Sequence, residues 1–237
     1  MAALFGIRAF DQEERRLFKQ VFQRELYGAV VKMGWGQFYK EKNRDIAGLI
    51  SNVSAHKEFI KTIVDNAPIT DAKKTRLLEV GTGTADMCIF MSWLGYKVTS
   101  IDNDQSVLEN VMLRDLMRTA GDLNLLKQDA FNLPFSDNTF DIVFSQGFLE
   151  HFSDEEIVML IAEQLRVGKK VIFSVPSFWY SRRDFGNERL MKIEEWLNIL
   201  KDFRVSKSFY YGLSNRRIRY LLQRKPLHIC ILMEGWS

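Results

Sequence analysis

Two glycines separated by one residue are the first feature of this chain whose spacing suggests ligand chemistry. Gly81 and Gly83 follow a strand-like run at residues 77–80 and would let the backbone approach a ligand that a Cβ atom would exclude. A turn of this kind between a strand and a helix lies where a parallel sheet places a nucleotide. Asp86 replaces the third glycine of the dinucleotide fingerprint GxGxxG, and its carboxylate would repel a pyrophosphate at the start of a helix. The turn therefore predicts a nucleotide-like ligand without phosphates.

From Arg76 onward, short apolar segments alternate with amphipathic ones, the pattern of strands and helices in a parallel sheet. The predicted strands span residues 76–80, 97–101, 123–128, 140–145, 169–175, 204–211 and 227–234, and the predicted helices span residues 84–94, 105–119, 153–168 and 193–200. Ser153 and Glu156 form a capping box for the third of these helices. The last two strands predict a hairpin at the edge of the sheet.

Residues 1–72 carry a purely helical pattern. Apolar residues recur at three- and four-residue steps in two stripes, namely Phe18, Val21, Phe22, Leu26, Ala29 and Val30, and then Ile46, Leu49, Ile50, Val53, Ile60 and Val64. An aromatic break flanked by glycines, at residues 34–39, separates the stripes. Helices of this kind gain most of their stability by packing. We therefore predict an N-terminal helical cap or lid at residues 1–72 and a catalytic domain at residues 73–237.

The net charge of the chain is +3, which is too small to indicate a nucleic-acid or membrane-surface partner. No apolar run approaches the ~20 residues that a membrane-spanning helix needs. Cys88 and Cys230 lie far apart in apolar runs, outside any metal-binding or redox pattern, which predicts buried free thiols in a reducing compartment. Together these features predict a cytoplasmic protein without nucleic-acid or membrane partners.

Between Arg76 and Pro176 the sequence resembles the class I methyltransferases, which use S-adenosyl-L-methionine, and specifically their small-molecule branch. Motifs in the expected order carry this resemblance: the strand and glycine turn at 77–86, the strand 98–102 with its acidic end, the triplet 128–130, the segments 132–135 and 140–144, and the strand 171–176. The resemblance implies a seven-stranded, mostly parallel Rossmann-like sheet with an antiparallel last strand and helices on both faces. It also implies S-adenosyl-L-methionine as cofactor and a small-molecule methyl acceptor.

The same resemblance assigns a cofactor role to each matching position. The turn after Glu79 would hold the methionine part, Asp102 would accept hydrogen bonds from both ribose hydroxyls, and Asp129 would accept one from the adenine amino group. The implied cofactor-binding residues are Glu79, Gly81, Thr82, Gly83, Asp102, Asn103, Asp129, Ala130, Ser145 and Gln146. Thr84 replaces the third glycine common in the family's first motif, a mild change because a hydroxyl residue is tolerated at the start of a helix.

Glu150 and His151 follow the fourth predicted strand and are the candidate catalytic residues. A neutral histidine there could take a proton from a substrate hydroxyl or amine. Alternatively, the two residues orient the following loop, because methyl transfer often needs only positioning and desolvation. Relatives that hold a divalent metal beside such a pair use a further carboxylate, and since Gly147 is found three residues before Glu150, we expect no metal. The chain also lacks Asn/Asp-Pro-Pro-Tyr after this strand, which disfavours methylation of DNA bases or glutamine amides.

Aromatic residues at two places are candidate substrate contacts. Trp35 and Tyr39 could form a wall over the cofactor or substrate, where a sulfonium facing an aromatic ring gains about 0.5–2 kcal/mol. They could equally hold the N-terminal helices against the sheet. Trp179 and Tyr180 follow the fifth strand, where this family places a variable substrate segment, and an exposed loop is the alternative there.

Other polar residues favour structural roles. His56 lies beside an apolar helical stripe and is expected to be packed or partly exposed, and His228 lies in the closing strand without an assigned role. The arginines at residues 216–224 are expected to form the solvated face of an amphipathic segment.

Two other functions stay open at this point. One is a non-catalytic protein that binds S-adenosyl-L-methionine as a regulator or subunit, which only an activity screen would separate from an enzyme. The other is a nicotinamide-dependent oxidoreductase, against which Asp86 and Asp129 argue.

Overall fold

The computed structural model of the chain describes residues 34–42, 45–112, 114–181, 184–213 and 225–235. The first apolar stripe, at residues 18–30, and the arginine-rich segment at 216–224 lie outside these ranges. Within the described ranges, no helix is both long and apolar enough to span a membrane.

A seven-stranded sheet forms the centre of the described structure, in the order β3-β2-β1-β4-β5-β7-β6. The strands are β1 (Arg76–Val80), β2 (Lys97–Asp102), β3 (Leu123–Lys127), β4 (Ile142–Gln146), β5 (Lys170–Pro176), β6 (Val205–Leu213) and β7 (Pro226–Glu234). Neighbours from β3 through β5 are parallel, whereas β7 pairs antiparallel with both β5 and β6. The predicted sheet, with its antiparallel last strand and its closing hairpin at the edge, is therefore confirmed.

The order of the strands creates a crevice between β1 and β4. From β1 the chain runs outward through β2 to β3 and then returns to add β4 on the other side of β1. The loops that leave the carboxyl ends of β1 and β4 therefore diverge, and ligands bind at such a point in open parallel sheets. The glycine turn leaves β1 here, and Gly147 follows β4 at the same edge.

Helices cover both faces of the sheet. They are α1 (Trp35–Glu41), α2 (Ile46–Ala55), α3 (Lys57–Asn66), α4 (Asp86–Trp93), α5 (Gln105–Met112), α6 (Asp154–Val167) and α7 (Ile193–Ile199), with short 3-10 helices at Ile69–Asp71, Asp115–Thr119 and Leu149–His151. The predicted capping box is present at the start of α6, where Ser153 accepts from the backbone of Glu156 and the Glu156 carboxylate accepts from the backbone of Ser153.

Alternate residues of the strands divide the core between the two faces of the sheet. Leu77 and Phe144 pack on one face with residues of α2, α3 and α4. Leu78 and Val143, their neighbours in sequence, pack on the other face with residues of α6 and α7. The helices α2 and α3 therefore share one apolar core with the sheet. Both cysteines are buried and free, as predicted.

The aromatic break predicted at residues 34–39 is wrong, because most of this segment is helical and belongs to α1. A Cβ atom at Gly36 would overlap with Ser106 of α5, so the missing side chain lets the two helices pack closely. The peptide of Gly36 also accepts a hydrogen bond from Nδ2 of Asn110 at 2.7 Å and donates one to Asp104 at 3.2 Å. Helix packing, rather than a chain break, requires a glycine at this position.

The helix predicted at residues 105–119 is also too long. It ends at Met112, and the 3-10 helix Asp115–Thr119 follows. Arg114 between them is extended, with a ψ angle of 135°, and its buried guanidinium forms an ion pair with Asp86 at 3.1 Å. The chain leaves the helical path where this side chain turns inward toward α4.

Candidate functional site

Two adjoining cavities open at the carboxyl ends of the central strands. The first, called here the β1–β2 cavity, has a volume of about 300 Å³ and is bordered by the ends of β1 and β2 and by the loop after β3. The second, the β4–β5 cavity, has a volume of about 200 Å³ and is bordered by the glycine turn, the ends of β4 and β5, and parts of α1 and α2. Both cavities are lined by Trp35, Tyr39, Gly81, Gly83, Gly147 and His151. They therefore meet between the glycine turn and the loop after β4.

The glycine turn requires glycine for two reasons. Gly81 and Gly83 have positive φ angles of 83° and 51°, which residues with a Cβ atom rarely adopt. A Cβ atom at Gly81 would lie 2.8 Å from Cδ2 of Phe148, and one at Gly83 would lie 3.2 Å from the ring of Tyr39. Aromatic side chains from two other elements thus pack directly on the turn, at the junction of the two cavities.

The β1–β2 cavity combines polar acceptors with apolar walls. Asp102 at the end of β2 accepts a hydrogen bond from the backbone N–H of Asp104 at 3.0 Å. Burial raises the pKa of Asp102, and hydrogen bonds from nearby backbone amides partly oppose this shift. Asp129 is fixed by the backbone N–H of Phe131, which donates to Oδ1 at 2.9 Å. The rest of the lining includes Val80, Ile101, Asn103, Gln128, Ala130, Phe148 and Phe152.

A nucleoside fits the chemistry of the β1–β2 cavity. The carboxylate of Asp102 offers two oxygens to two vicinal hydroxyl donors, and the apolar side chains suit a flat base. Asp129 and Ala130 lie on the same cavity and present a carboxylate and backbone groups to the edge of such a base. The structure therefore brings together Asp102, Asn103, Asp129 and Ala130, as the sequence predicts.

Glu79 and Asp86 line the β4–β5 cavity and differ in how their charges are balanced. Glu79 is buried and accepts a hydrogen bond from Ser100 at 2.6 Å, and burial raises its pKa to about 8. Asp86 is paired with Arg114 and also accepts from Nδ2 of Asn52 at 3.2 Å. Because Arg114 compensates Asp86, the predicted repulsion of a pyrophosphate by this carboxylate is weaker than the sequence suggests. Glu79 is the acid on this side that a cationic ligand group would ionise.

Gln146 and Ser145 end β4, but only Gln146 reaches the site. Its Nε2 lies 2.9 Å from Nε2 of His56 and 3.5 Å from Oδ1 of Asn52, and it lines the β4–β5 cavity. Ser145 is 1% exposed and lines neither cavity. The structure therefore does not place Ser145 at the site with Gln146, because neighbouring residues of a strand point to opposite sides, and its predicted cofactor-binding role has no support from this geometry.

Glu150 is buried at the β4–β5 cavity in the 3-10 helix Leu149–His151. Its side chain is 3% exposed, and Oε2 has no hydrogen-bond partner among the described residues. Burial raises the pKa of Glu150 to about 8, and the nearby carboxylates of Glu188 and Asp184 add to this effect. At neutral pH this carboxyl group is therefore mainly protonated when the cavity holds no cation.

His151 lies at the junction of the two cavities and is held by two neighbours. Its Nδ1 is 2.5 Å from Oδ1 of Asn187, and its ring meets Trp35 edge to face at 5.0 Å. Burial lowers the pKa of His151, and contacts with Asn187, Glu188 and the Gly147 backbone oppose this shift. The imidazole is therefore neutral at pH 7. No group of three or more His, Cys, Asp or Glu side chains in the described part of the chain could hold a metal ion.

An aromatic cluster covers the junction of the cavities. It consists of Trp35, Phe38 and Tyr39 of α1 and Phe185 of the loop after β5. Trp35 stacks on Phe185 with ring centroids 3.6 Å apart, and Tyr39 stacks on Trp35 at 5.8 Å. The predicted aromatic wall therefore lies at the site, with Trp35 and Tyr39 lining both cavities.

Of the two aromatic residues predicted after β5, one reaches the site. Tyr180 lines the β4–β5 cavity, and its hydroxyl donates to Asp184 at 3.2 Å. Trp179 lines neither cavity and packs on Tyr210 of β6 at 5.1 Å. The structure therefore does not place Trp179 at the site with Tyr180, because consecutive residues of this turn face in different directions, and its predicted substrate contact has no support from this geometry.

Sequence reasoning missed the residues at the inner end of the β4–β5 cavity. His56 and His228 both line it, and Nδ1 of His56 lies 2.6 Å from the hydroxyl of Tyr211. That hydroxyl lies 2.5 Å from the hydroxyl of Ser174, and the ring of His228 stacks on Tyr211 at 5.2 Å. Burial lowers the pKa of His228 to about 4, so it is neutral at pH 7. The pairing of β7 with β5 and β6 places His228 beside Tyr211, and the packing of α2 and α3 on the sheet adds His56, so no local motif marks this group.

Comparison with known proteins agrees with this geometry. Residues 77–170 match a family model described as a methyltransferase domain. A methyltransferase from Aquifex aeolicus that depends on S-adenosylmethionine is 16% identical, with a TM-score of 0.58 over 80% of this chain and 98% of that one. The magnesium protoporphyrin IX methyltransferase of Synechocystis PCC 6803, with bound S-adenosylmethionine, is 12% identical, with a TM-score of 0.57 over 98% of this chain and 100% of that one.

The same fold also occurs in a protein with a different named activity. The cyclase SpnF is 17% identical, with a TM-score of 0.55 over 72% of this chain and 79% of that one. At these identities the structural likeness concerns the fold, whereas the family model matches the residues from β1 to the start of β5. That stretch contains the glycine turn, Asp102, Asp129 and the loop of Glu150 and His151. Residues 77–170 therefore match a methyltransferase domain, and the fold around them is one that S-adenosylmethionine-dependent methyltransferases share.

Proposed function

We propose that the protein transfers a methyl group from S-adenosyl-L-methionine to an oxygen, nitrogen or carbon nucleophile of a small molecule. The observation that carries this proposal is the junction of the two cavities beneath the aromatic cluster. A cofactor whose nucleoside lies in the β1–β2 cavity would present its methyl group at this junction to an acceptor in the β4–β5 cavity. When bound, S-adenosyl-L-methionine supplies an electrophilic methyl group on a sulfonium sulfur.

The residues that would hold the cofactor fall into two groups. Asp102 would accept from the ribose hydroxyls, and Asn103, Asp129 and Ala130 would surround the adenine in the β1–β2 cavity. Glu79, Gly81, Thr82, Gly83 and Gln146 line the β4–β5 cavity next to the junction and would hold the methionine part. The raised pKa of Glu79 supports this assignment, because a positively charged neighbour would restore its ionised form.

Around the methyl acceptor, the protein would align the nucleophile, exclude water and supply a group that takes up a proton. The aromatic cluster covers the junction and would exclude water, and rigid alignment of a nucleophile lowers the barrier of a transfer reaction. His151 is neutral at pH 7 and lies at the junction, so it could take a proton from the nucleophile. Glu150, with its unpaired Oε2, would bind or exchange a proton beside it.

The size of the β4–β5 cavity supports a small acceptor. A space of about 200 Å³ that is lined by α1, α2, β5 and β7 has room for a compact molecule rather than a polymer. The two buried free thiols support a reducing compartment such as the cytoplasm.

We further propose that residues 1–72 act as a lid on the domain at residues 73–237. The contacts of α1 support this, because Tyr39 packs on Gly83 and Trp35 packs on His151. A variant without residues 1–42 should bind S-adenosyl-L-methionine weakly and transfer no methyl group. Normal turnover by that variant would contradict the lid.

The function is tested by incubating the full chain with methyl-labelled S-adenosyl-L-methionine and a small-molecule extract of the source cells. Mass analysis should find label on a low-molecular-weight product, and an Asp102→Ala variant should produce much less of it. Cofactor binding without any labelled product would favour a regulator or subunit. Binding of a reduced nicotinamide cofactor instead would favour an oxidoreductase.

A further inference from the structure

We propose that the methyl acceptor carries a protonated amine next to an aromatic or planar apolar group, and that the carboxyl group of Glu150 binds this amine. The inference rests on the proposed function and names the class of molecule that the β4–β5 cavity accepts. It depends on the charges, the hydrogen bonds and the aromatic rings around that cavity.

The described lining of the β4–β5 cavity is rich in carboxyl groups. Its lining contains five carboxyl groups, Glu79, Asp86, Glu150, Asp184 and Glu188. Lys42 is the one lysine or arginine among the described lining residues, and its Nζ lies 3.9 Å from Asp184 and 4.0 Å above the ring of Phe38. His151 and His228 are neutral at pH 7, because burial lowers the pKa of both. The described lining therefore offers a carboxylate or phosphate of an acceptor no lysine or arginine besides Lys42, which already lies beside Asp184.

Most of these carboxyl groups already have partners within the protein. Asp86 pairs with Arg114, and Glu79 accepts from Ser100. Glu188 accepts from the backbone N–H groups of Phe185 and Gly186 at 2.5 and 2.9 Å, and Asp184 accepts from Tyr180.

Glu150 is the exception among the five. It is 3% exposed, it lines the cavity, and its Oε2 has no partner within the described ranges. A buried oxygen without a partner is costly unless a ligand supplies the donor. An ammonium group has three N–H donors, and its positive charge would compensate the negative charge of an ionised Glu150.

The aromatic cluster would bind the planar apolar group next to the amine. The faces of aromatic rings attract ammonium groups, and their area packs against planar apolar groups. Trp35, Phe38, Tyr39 and Phe185 all line the cavity that Glu150 borders. An acidic group beside aromatic rings discriminates an arylalkylamine from the corresponding alcohol or acid.

Binding of an ammonium group should change the protonation of Glu150. With the pKa of Glu150 raised to about 8, the carboxyl group is mainly protonated at pH 7 in the absence of a cation. A bound ammonium would stabilise the carboxylate, so binding should release up to about one proton to the solvent. A neutral alcohol of the same shape would release none. The other titratable groups that face this region are Glu79, Asp86, Asp184, Glu188, Lys42, His56, His151, His228, Tyr39 and Tyr180.

The test compares three probes of one shape on the full chain, 2-phenylethylamine, 2-phenylethanol and 3-phenylpropionate, after saturation with S-adenosylhomocysteine. Saturation keeps Glu79 in one state, so that proton release reports on the acceptor side. Calorimetry at pH 7 in two buffers of different ionisation enthalpy measures both affinity and proton release. The amine should bind about tenfold or more tightly than the alcohol, with proton release, and the propionate should bind least.

Variants locate the effect. Glu150→Gln should reduce amine affinity about tenfold, leave alcohol affinity within about twofold and abolish the buffer dependence. Glu155→Gln, an exposed position on α6, is the matched control and should change nothing. The probe comparison on the unmodified protein stands on its own if Glu150→Gln does not fold.

Equal affinity for amine and alcohol, absence of probe binding at millimolar concentration, or full amine affinity in a folded Glu150→Gln variant would overturn the inference. These results leave the proposed function intact as long as S-adenosylhomocysteine binds. Failure of S-adenosylhomocysteine itself to bind would instead overturn the proposed function and this inference with it.

Discussion

The two cavities lie side by side but are built in different ways. The β1–β2 cavity is lined mainly by loops that leave β1 to β4, in a stretch of chain from Val80 to Phe152. The β4–β5 cavity also draws on helices that precede the sheet and on the strand that ends it, from Trp35 to His228. Its carboxyl and imidazole groups are mostly buried, and several have shifted pKa values. Binding in the first cavity should therefore depend on a few hydrogen bonds, and binding in the second on charge and pH.

The largest effect is expected at the junction that both cavities share. In Gly83→Val, the φ angle of 51° and the ring of Tyr39 at 3.2 Å both oppose the new side chain. Affinity for S-adenosyl-L-methionine should fall below detection in isothermal titration, while most of the thermal stability remains.

Gly95→Val is the matched control for this prediction. Gly95 also has a positive φ angle, of 92°, but it precedes β2 at the opposite edge of the sheet. This variant should carry similar backbone strain and keep cofactor binding. If Gly83→Val unfolds and Gly95→Val does not, the glycine turn serves the fold rather than the ligand.

The difference between the cavities also explains how much the sequence could predict. The turn at Gly81 and Gly83, Asp102 and Asp129 lie within or directly after strands, so strand order alone brings them to one edge. Glu150 and His151 are found beside them for the same reason. The strands, the closing hairpin and the capping box of α6 were predictable from periodicity and capping patterns, and the family resemblance implied the antiparallel last strand.

What the sequence could not predict depends on packing between distant segments. The register of β7 pairs His228 with Pro176 and Tyr211, and the packing of α2 and α3 on the sheet brings the ring of His56 to 4.5 Å from that of His228. Gly36 in α1 allows close packing on α5. In the sequence alone, a glycine at this position suggests a break in the helix. Ser145 and Trp179 are each followed by a residue that reaches the site, Gln146 and Tyr180. The direction in which each side chain points depends on the local strand or turn conformation, which the sequence alone does not give.

The next prediction tests the acid–base role at the junction. His151→Ala should lower turnover by roughly 10²-fold with little change in cofactor affinity, because a neutral imidazole would be lost where the nucleophile reacts. Asn187→Ala, which removes the partner of Nδ1, should lower turnover less and in the same direction. Steady-state kinetics from pH 5 to pH 9 measure both. A loss below threefold in His151→Ala would assign this residue to loop positioning.

A smaller effect is expected in the β1–β2 cavity. Asp102→Ala should weaken S-adenosyl-L-methionine binding by about 2 kcal/mol, or roughly thirtyfold, because one charged acceptor for hydroxyl donors is lost. Isothermal titration checks this, and Asp122→Ala, an exposed residue before β3, is a suitable control. Unchanged affinity in folded Asp102→Ala would place the ribose elsewhere.

The smallest predicted effect concerns stability and pH in the β4–β5 cavity. Glu79 and Glu150 have pKa values of about 8 in the folded chain, against the usual 4.5, so the folded state binds more protons between these values. The free energy of unfolding should therefore fall as the pH rises from about 5 to about 8. The pKa of His228 is lowered from the usual 6.5 to about 4. This histidine therefore makes the free energy of unfolding rise with pH, but only between these two values.

Measurements between pH 6.5 and pH 8 isolate the two glutamates. Over this interval the Tm of the unmodified chain should fall by several degrees more than that of Glu150→Gln. Glu155→Gln should behave like the unmodified chain. Parallel curves for all three proteins would mean that Glu150 is ionised throughout this interval and does not contribute to the pH dependence.

The most direct test of the division between the two cavities is a crystal structure of the full chain with bound S-adenosylhomocysteine. The account predicts the adenosine in the β1–β2 cavity, with the ribose hydroxyls on Asp102, and the sulfur at the junction between Gly81 and His151. The space beside Glu150 and beneath Trp35 should stay open for an acceptor. Adenosine in the β4–β5 cavity, or a ligand that fills the space beside Glu150, would contradict it.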